Sequence, residues 1–277
     1  MPSLPLLADF SLEMTGRDAP ALADARGALP AGTRVNITFL GSEDHDTRIR
    51  AARAVVDVGL TPVAHIAARR LASEGELERL LADLQRIGAS ERVFVVGGDP
   101  ATPAGPYASA LEVIESGLLE AHGVAEAGIA GYPDGHPDIA DDALRSALAE
   151  KLAAASARGL APVVVTQFGF DADRVATWIR RTRADGVSAP IRVGVAGPTN
   201  VARLVRYARR FGIGQNAMIV RKYGFSLANL VGQAGPERFL DDLARALDHD
   251  GSARDIALHV YAFGGLADTA RWAARHR

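Results

Sequence analysis

Two carboxylates in this chain stand where acid–base chemistry needs them. Glu13 lies inside a short apolar run, Phe10 to Met14, and Asp99 follows Val93-Phe-Val-Val96 and two glycines, Gly97 and Gly98. Such a pair can divide its work, one carboxyl with a raised pKa delivering a proton while the other, ionised, stabilises a cation. Taken alone, Asp99 reads slightly better as a turn or helix-cap residue before Pro100. Gln167 stands directly behind Pro162-Val-Val-Val165-Thr166. A carboxamide there is costly to bury without partners, so it either faces a cavity or holds a polar ligand. His65 lies near the end of an apolar run, whereas His259, inside another, reads as a satisfied core histidine. The small residues of Gly97-Gly98 and Gly194-Val-Ala-Gly197 let a ligand approach the backbone. Neither forms a dinucleotide-binding fingerprint, and each reads as easily as an ordinary strand-to-helix turn.

Other chemistries are excluded by composition. The chain has no cysteine, which removes disulfides, thiolate nucleophiles and cysteine-held metals. Lysine occurs only at Lys151 and Lys222, so a Schiff base has two possible sites. No two of the seven histidines have the helical spacing of a zinc hydrolase, and no metal site is expected. The net charge of -2 comes from acids and bases mixed along the chain, which argues against nucleic acid or a membrane surface as partner. A soluble, cytoplasmic protein acting on a small molecule is expected, and a homo-oligomer is left open.

The elements that must position these residues follow from periodicity. Short β-rich runs at Arg34 to Leu40, Thr61 to Ala67, Arg92 to Val96, Val124 to Tyr132, Ala161 to Phe168, Ile191 to Val195 and Ile256 to Phe263 alternate with segments of helical period. Leu77, Leu80, Leu81, Leu84 and Ile87 mark one helix face; Val201, Leu204, Val205, Ala208 and Phe211 mark another. Asp171 and Thr199 are expected helix N-caps. With Phe10 to Met14 the count is eight strands in one 277-residue chain without a linker. This predicts an α/β fold, a single (β/α)8 TIM-type barrel over residues 1–277, with an extra helical excursion, Gly212 to Pro236, before the last strand. The runs break at Thr38, His65, Asp99, Tyr132, Gln167, Asn200 and Tyr261, which therefore converge with Glu13 on one rim.

In this order the motifs resemble the methylenetetrahydrofolate reductase family. The specific ones are Tyr132-Pro-Asp-Gly-His136-Pro and Thr166-Gln167-Phe168-Gly-Phe170-Asp171; Ser11-Leu-Glu13, Val35-Asn-Ile-Thr38, Pro62-Val-Ala-His65, Gly98-Asp99 and His259-Val-Tyr261 add support. The resemblance implies an oxidoreductase that takes hydride from NADH or NADPH through bound FAD and interconverts 5,10-methylenetetrahydrofolate and 5-methyltetrahydrofolate. It also implies roles. Glu13 becomes the general acid that opens the folate's five-membered ring, Asp99 the carboxylate beside the pterin, and Gln167 the pterin-reading amide. Phe168, Asn200 and Tyr261 join the substrate contacts. Thr38, His65, Gly97, Gly98, Asp99, Tyr132, His136 and Lys151 become the flavin contacts.

The chain also departs from the family pattern. Gly97 replaces the usual arginine before Gly-Asp, Ala153-Ala-Ala-Ser156 stands where basic residues reach the flavin phosphates, and Val201 replaces a stacking aromatic. An arginine expected after the His-x-Tyr strand is missing at Gly264-Gly265. Charge-assisted hydrogen bonds lost in this way are worth about 1.5–3 kcal/mol each, unless Arg158 or Lys151 substitutes. Two alternatives follow: a reductase passing hydride directly from nicotinamide to folate, and a folate-binding accessory subunit. Glu13 discriminates against the second, because a binder needs no acid.

Overall fold

A computed structural model describes residues 5–169, 171–199, 236–247, 255–263 and 265–277. Eight parallel strands close into one barrel in sequence order: β1 Ser11–Met14, β2 Arg34–Ile37, β3 Thr61–Ala67, β4 Arg92–Val96, β5 Glu126–Gly131, β6 Ala161–Thr166, β7 Ile191–Ala196 and β8 Ile256–Tyr261. The sheet closes where β8 pairs with β1, setting Ser11 opposite His259 and Glu13 opposite Tyr261. The barrel is the expected one. Several strands stop one to three residues short of the apolar runs, because residues such as Thr38 and Gln167 have already left the ladder for the rim. The helix face from Val201, the excursion from Gly212 except Pro236 itself, and Asn200, Phe170, Lys222 and Gly264 lie outside the described residues.

Alternation along each strand sorts side chains between two cores. Outward-facing Leu12, Val35, Ile66, Val95, Ile129, Val164, Val193 and Val260 are buried under the surrounding helices. Inward-facing Val63, Phe94, Val163 and Val165 form a smaller cluster inside the barrel. The interior is tight enough to dictate glycine at two points. A Cβ at Gly128 would come 2.8 Å from the Phe94 ring, and one at Gly194 would come 2.4 Å from the Thr166 carbonyl oxygen. The floor of the barrel is charged. Arg34 pairs with Glu126 at 2.6 Å, Arg92 lies 3.7 Å from the same carboxylate, and Arg192 reaches Asp9 at 2.6 Å. These pairs plug the N-terminal end and leave the C-terminal mouth for a ligand.

The helices begin where the sequence offers caps. In α1 Leu22–Arg26 the chain only turns, but α2 His45–Asp57 and α3 Glu74–Arg86 start at Asp44 and Ser73, whose side chains accept from Thr47 and Glu76 N–H at 2.7 and 3.1 Å. Leu77, Leu80, Leu81 and Leu84 are the buried stripe of α3, as their spacing requires. Next come α4 Ala110–Glu115, α5 Leu118–Ala121 and α6 Asp141–Ala157. After them, α7 Ala172–Ala184 is capped by Asp171 as expected, and α8 Glu237–Leu247 and α9 Leu266–His276 complete the layer. No described helix is long and apolar enough to cross a membrane.

Candidate active site

Glu13 is the centre of the mouth. β1 points its side chain inward, where it is 8% exposed, and two imidazoles reach the same carboxylate oxygen. His259 Nε2 lies 3.5 Å from Oε2 and His65 Nε2 lies 3.9 Å from it. Behind His259, Ser11 Oγ lies 2.9 Å from Nδ1. Behind His65, the Asn36 amide donates to Nε2 at 3.3 Å, and the Phe94 ring meets the imidazole edge-on with centroids 4.7 Å apart. Ser11, Asn36, His65 and His259 are all buried. The Thr38 hydroxyl oxygen is buried too and has no partner of good geometry, although it lies near enough to favour the Glu13 anion.

These neighbours decide who carries charge. Burial alone would raise the Glu13 carboxyl. The hydrogen bond from His259, the charges of His65 and His259 when protonated, and Thr38 together outweigh burial and hold Glu13 below its ordinary value. His65 is pushed down to about 4, first by burial and then by the charge of His259, against the pull of Glu13. At neutral pH His65 is therefore a neutral imidazole.

One wall of the mouth is aromatic. Tyr261 donates its hydroxyl to the Thr166 carbonyl at 3.1 Å and stands edge-on to His259 at 4.8 Å. Phe168 packs edge-on against Tyr261 and Phe263, at 5.2 and 5.4 Å. Gln167 is exposed on the rim beside this wall, its side-chain oxygen accepting from the Phe168 N–H at 3.1 Å.

Asp99 belongs to a different part of the rim. Its side chain is 76% exposed, and Arg70 grips both oxygens, Nε to Oδ1 at 2.8 Å and Nη2 to Oδ2 at 2.6 Å. The hydrogen bonds from Arg70, outweighing partial burial, keep Asp99 ionised below its usual range. Gly97 and Gly98 follow β4 beside it, Gly98 with a left-handed φ of 90°. Tyr132 and His136 lie together after β5, rings edge-on at 5.6 Å, and burial raises the Tyr132 phenol. A separate cavity of about 540 Å³ opens between α6 and α7, lined by Tyr132, Leu148 and Trp178, away from Glu13.

The family model described as Methylenetetrahydrofolate reductase matches residues 22–223, well over half of the chain. The chain belongs to the methylenetetrahydrofolate reductase family. Among solved structures, it is similar to a Clostridium thermocellum protein described as binding two copies of 5-methyl-5,6,7,8-tetrahydrofolic acid. The TM-score is 0.65 and the identity 12%, over 95% of each chain. It is also similar to dihydropteroate synthase from Thermus thermophilus in complex with 6HMPPP, at TM-score 0.50 and 15% identity, over 97% of this chain and 94% of that one. These likenesses speak for the barrel. Glu13, His259 and Tyr261 fall outside the stretch matched by the methylenetetrahydrofolate reductase model, so the case for them is geometric.

The fit to the FAD of methylenetetrahydrofolate reductases splits in two. At the ring end, the unpartnered Thr38 hydroxyl and the open space at Gly97 suit a flat heterocycle. At the diphosphate end the two residues expected to substitute do not fit. Lys151 is half-buried, roughly 15 Å along α6 from Asp141, and burial depresses its ammonium, with Glu150 opposing. Arg158 follows the last turn of α6, at the opposite face of the barrel, and donates to Glu120 and to the Glu115 carbonyl. Neither can replace the missing basic residues. Arg69 is occupied by the carbonyls of Ala108 and Pro100, and Arg70 by Asp99.

Sequence reading alone did not single out Ser11, Asn36 or Arg70; it read His259 as a satisfied core histidine, and the ring is fully buried with Ser11 as its partner. The available signal was alternation: Ser11 and Glu13 share one inward face, and so do His259 and Tyr261.

Proposed function

We propose that this protein interconverts 5,10-methylenetetrahydrofolate and 5-methyltetrahydrofolate by hydride transfer at the barrel mouth, with Glu13 as the acid. The supporting observation is the buried Glu13 carboxylate with His259 at 3.5 Å and His65 at 3.9 Å. A protein that only held folate would have no use for such a proton site, and burying it is costly.

In this reading Glu13 gives a proton to the bridging nitrogen as the five-membered ring opens, and the methylene carbon becomes an iminium that accepts hydride. Gln167 reads the pterin, its amide able both to donate and to accept. Asp99 anchors the pterin by hydrogen bonds more than by charge, because Arg70 already shares its charge. Phe168, Tyr261 and Phe263 exclude water from the iminium. The hydride donor is NADH or NADPH in direct contact with the folate, since neither Lys151 nor Arg158 is placed to hold a flavin diphosphate. A second reading, with FAD between the two substrates, draws on the buried Thr38 hydroxyl.

The test is anaerobic mixing of the purified protein with reduced nicotinamide and 5,10-methylenetetrahydrofolate, with and without FAD, and chromatography of the product. We expect 5-methyltetrahydrofolate without FAD, and a loss of roughly 100-fold or more in Glu13→Gln with folate binding retained. A strict FAD requirement would select the second reading. No product under either condition, with 5-methyltetrahydrofolate still bound, would refute the enzyme.

A further inference from the structure

The carboxylate assigned to the pterin already has an occupant. Asp99 is 76% exposed at the rim, yet Arg70 takes both of its oxygens from one side, Nε to Oδ1 at 2.8 Å and Nη2 to Oδ2 at 2.6 Å. Position 97, next to Gly98-Asp99, is a glycine, so the guanidinium comes from another strand. It is carried by the short helical turn Ala68–Arg70 that follows β3. The Arg69 N–H donates to the Gly97 carbonyl at 2.9 Å, which ties this turn to the loop bearing Asp99.

A carboxylate offers about four acceptor sites, two facing forward between its oxygens and two on the outer flanks. A bidentate guanidinium uses the forward pair, one on each oxygen. The pterin ring of a folate carries the same fork: its N3–H and 2-amino N–H are parallel donors on either side of one carbon, as Nε–H and Nη2–H are in arginine. Two forks cannot share one pair of acceptor sites. Arg70 is placed to give way. Its guanidinium lies flat on Gly41, where an added Cβ would fall 2.0 Å from Nη1 and 2.5 Å from Cζ. Contact with a peptide face leaves the group able to slide in its own plane. Among the described residues, Asp99 is its only hydrogen-bond partner.

We propose that Arg70 holds the seat of the pterin's N3–H and 2-amino edge on Asp99 and gives it up when folate binds. This rests on the reading of Asp99 as the pterin anchor. The guanidinium slides from the forward acceptor sites to a single outer one, so its charge stays beside Asp99 while the pterin takes both oxygens. Hydrogen bonds are exchanged and no proton moves. Arg70 is a positioning residue that acts through Asp99, and the ligand loses whatever the exposed fork is worth. Exposed ion pairs are weak, so that loss is about 5-fold in affinity at most.

The experiment is calorimetric binding of 5-methyltetrahydrofolate to the whole protein, with arginine side-chain NMR on the same samples. Arg70→Met should bind this folate about 3–5-fold more tightly. Gly41→Ala should do the same, because the new methyl group pushes the guanidinium from its place without changing any charge. Gly41→Ala carries the test if Arg70→Met does not fold. Asp99→Asn should bind on the order of 10-fold more weakly, and adding Arg70→Met to it should change nothing further. The Nε–H signal that disappears in Arg70→Met identifies Arg70, and in the wild type it should shift when folate is added. Unchanged or weaker binding in either folded variant, or a signal unmoved by saturating folate, would overturn the exchange and make the fork a fixed brace. Unchanged binding in Asp99→Asn would instead refute Asp99 as the pterin anchor, and the exchange with it.

Discussion

His65 should make this protein acid-sensitive by an amount that can be worked out. Its imidazole is 7% exposed and pushed from 6.5 down to about 4, so burial in the folded state disfavours the charged form. Above pH 6.5 the ring is neutral whether folded or unfolded. Between there and about 4 the unfolded chain takes up a proton that the folded chain refuses, so stability falls as pH falls. Below about 4 the folded state protonates too, and the loss stops. At about 1.36 kcal/mol per pH unit the whole effect is about 3.4 kcal/mol, of which about 2.4 kcal/mol falls between pH 7 and pH 4.5. Stopping at pH 4.5 matters because Glu13, whose pKa is lowered from 4.5, gives up its own stabilisation below that point. The assay is urea unfolding of the wild type and His65→Gln at both pH values. Loss of packing in the variant cancels, because only the difference between pH values is read. The wild type should lose about 2.4 kcal/mol more than the variant, a relative midpoint shift of roughly 0.8 M for a slope of about 3 kcal/mol per M. Equal losses in the two proteins would show that His65 is hydrated or already paired as a cation, and the description of a neutral ring would be wrong.

Other expectations follow from single contacts. Gln167→Ala should weaken folate binding about 10-fold, the value of one good hydrogen bond, and change stability by less than about 0.5 kcal/mol because the side chain is exposed. A drop in melting temperature matching the loss of binding would make Gln167 a barrel support. In Gly194→Ala the new Cβ would press on the Thr166 oxygen and on the backbone of Gln167 and Phe168 at 2.4–2.8 Å. It should cost about 1–3 kcal/mol and weaken folate binding as well; an unchanged melt with normal calorimetry would show that the strand spacing is looser than described.

Much of the barrel was legible because its signals are local. Eight apolar runs separated by helical periods, with caps such as Asp171, require only that each segment satisfy its own backbone and bury its own apolar face. The rim positions of Thr38, Tyr132 and Gln167 followed, since a polar side chain ending a buried strand has nowhere else to go. Charge placement was less legible. Arg158 and Lys151 looked available for a phosphate, but helix direction puts Arg158 at the far face and Lys151 against the packed layer. Asp99 looked like half of a carboxylate pair with Glu13, yet Arg70 from the neighbouring strand end claims it.

The pattern Ser11-Leu-Glu13 by itself determined that a serine and a glutamate share an inward face, and His259-Val-Tyr261 did the same for its pair. Neither pattern names the neighbour. Only closure of the sheet, with β8 against β1, brings Ser11 to His259 across 248 positions of chain. Side-chain alternation is a property of one strand, whereas the protonation of Glu13 depends on which two strands meet. That meeting is decided by the packing of the whole barrel.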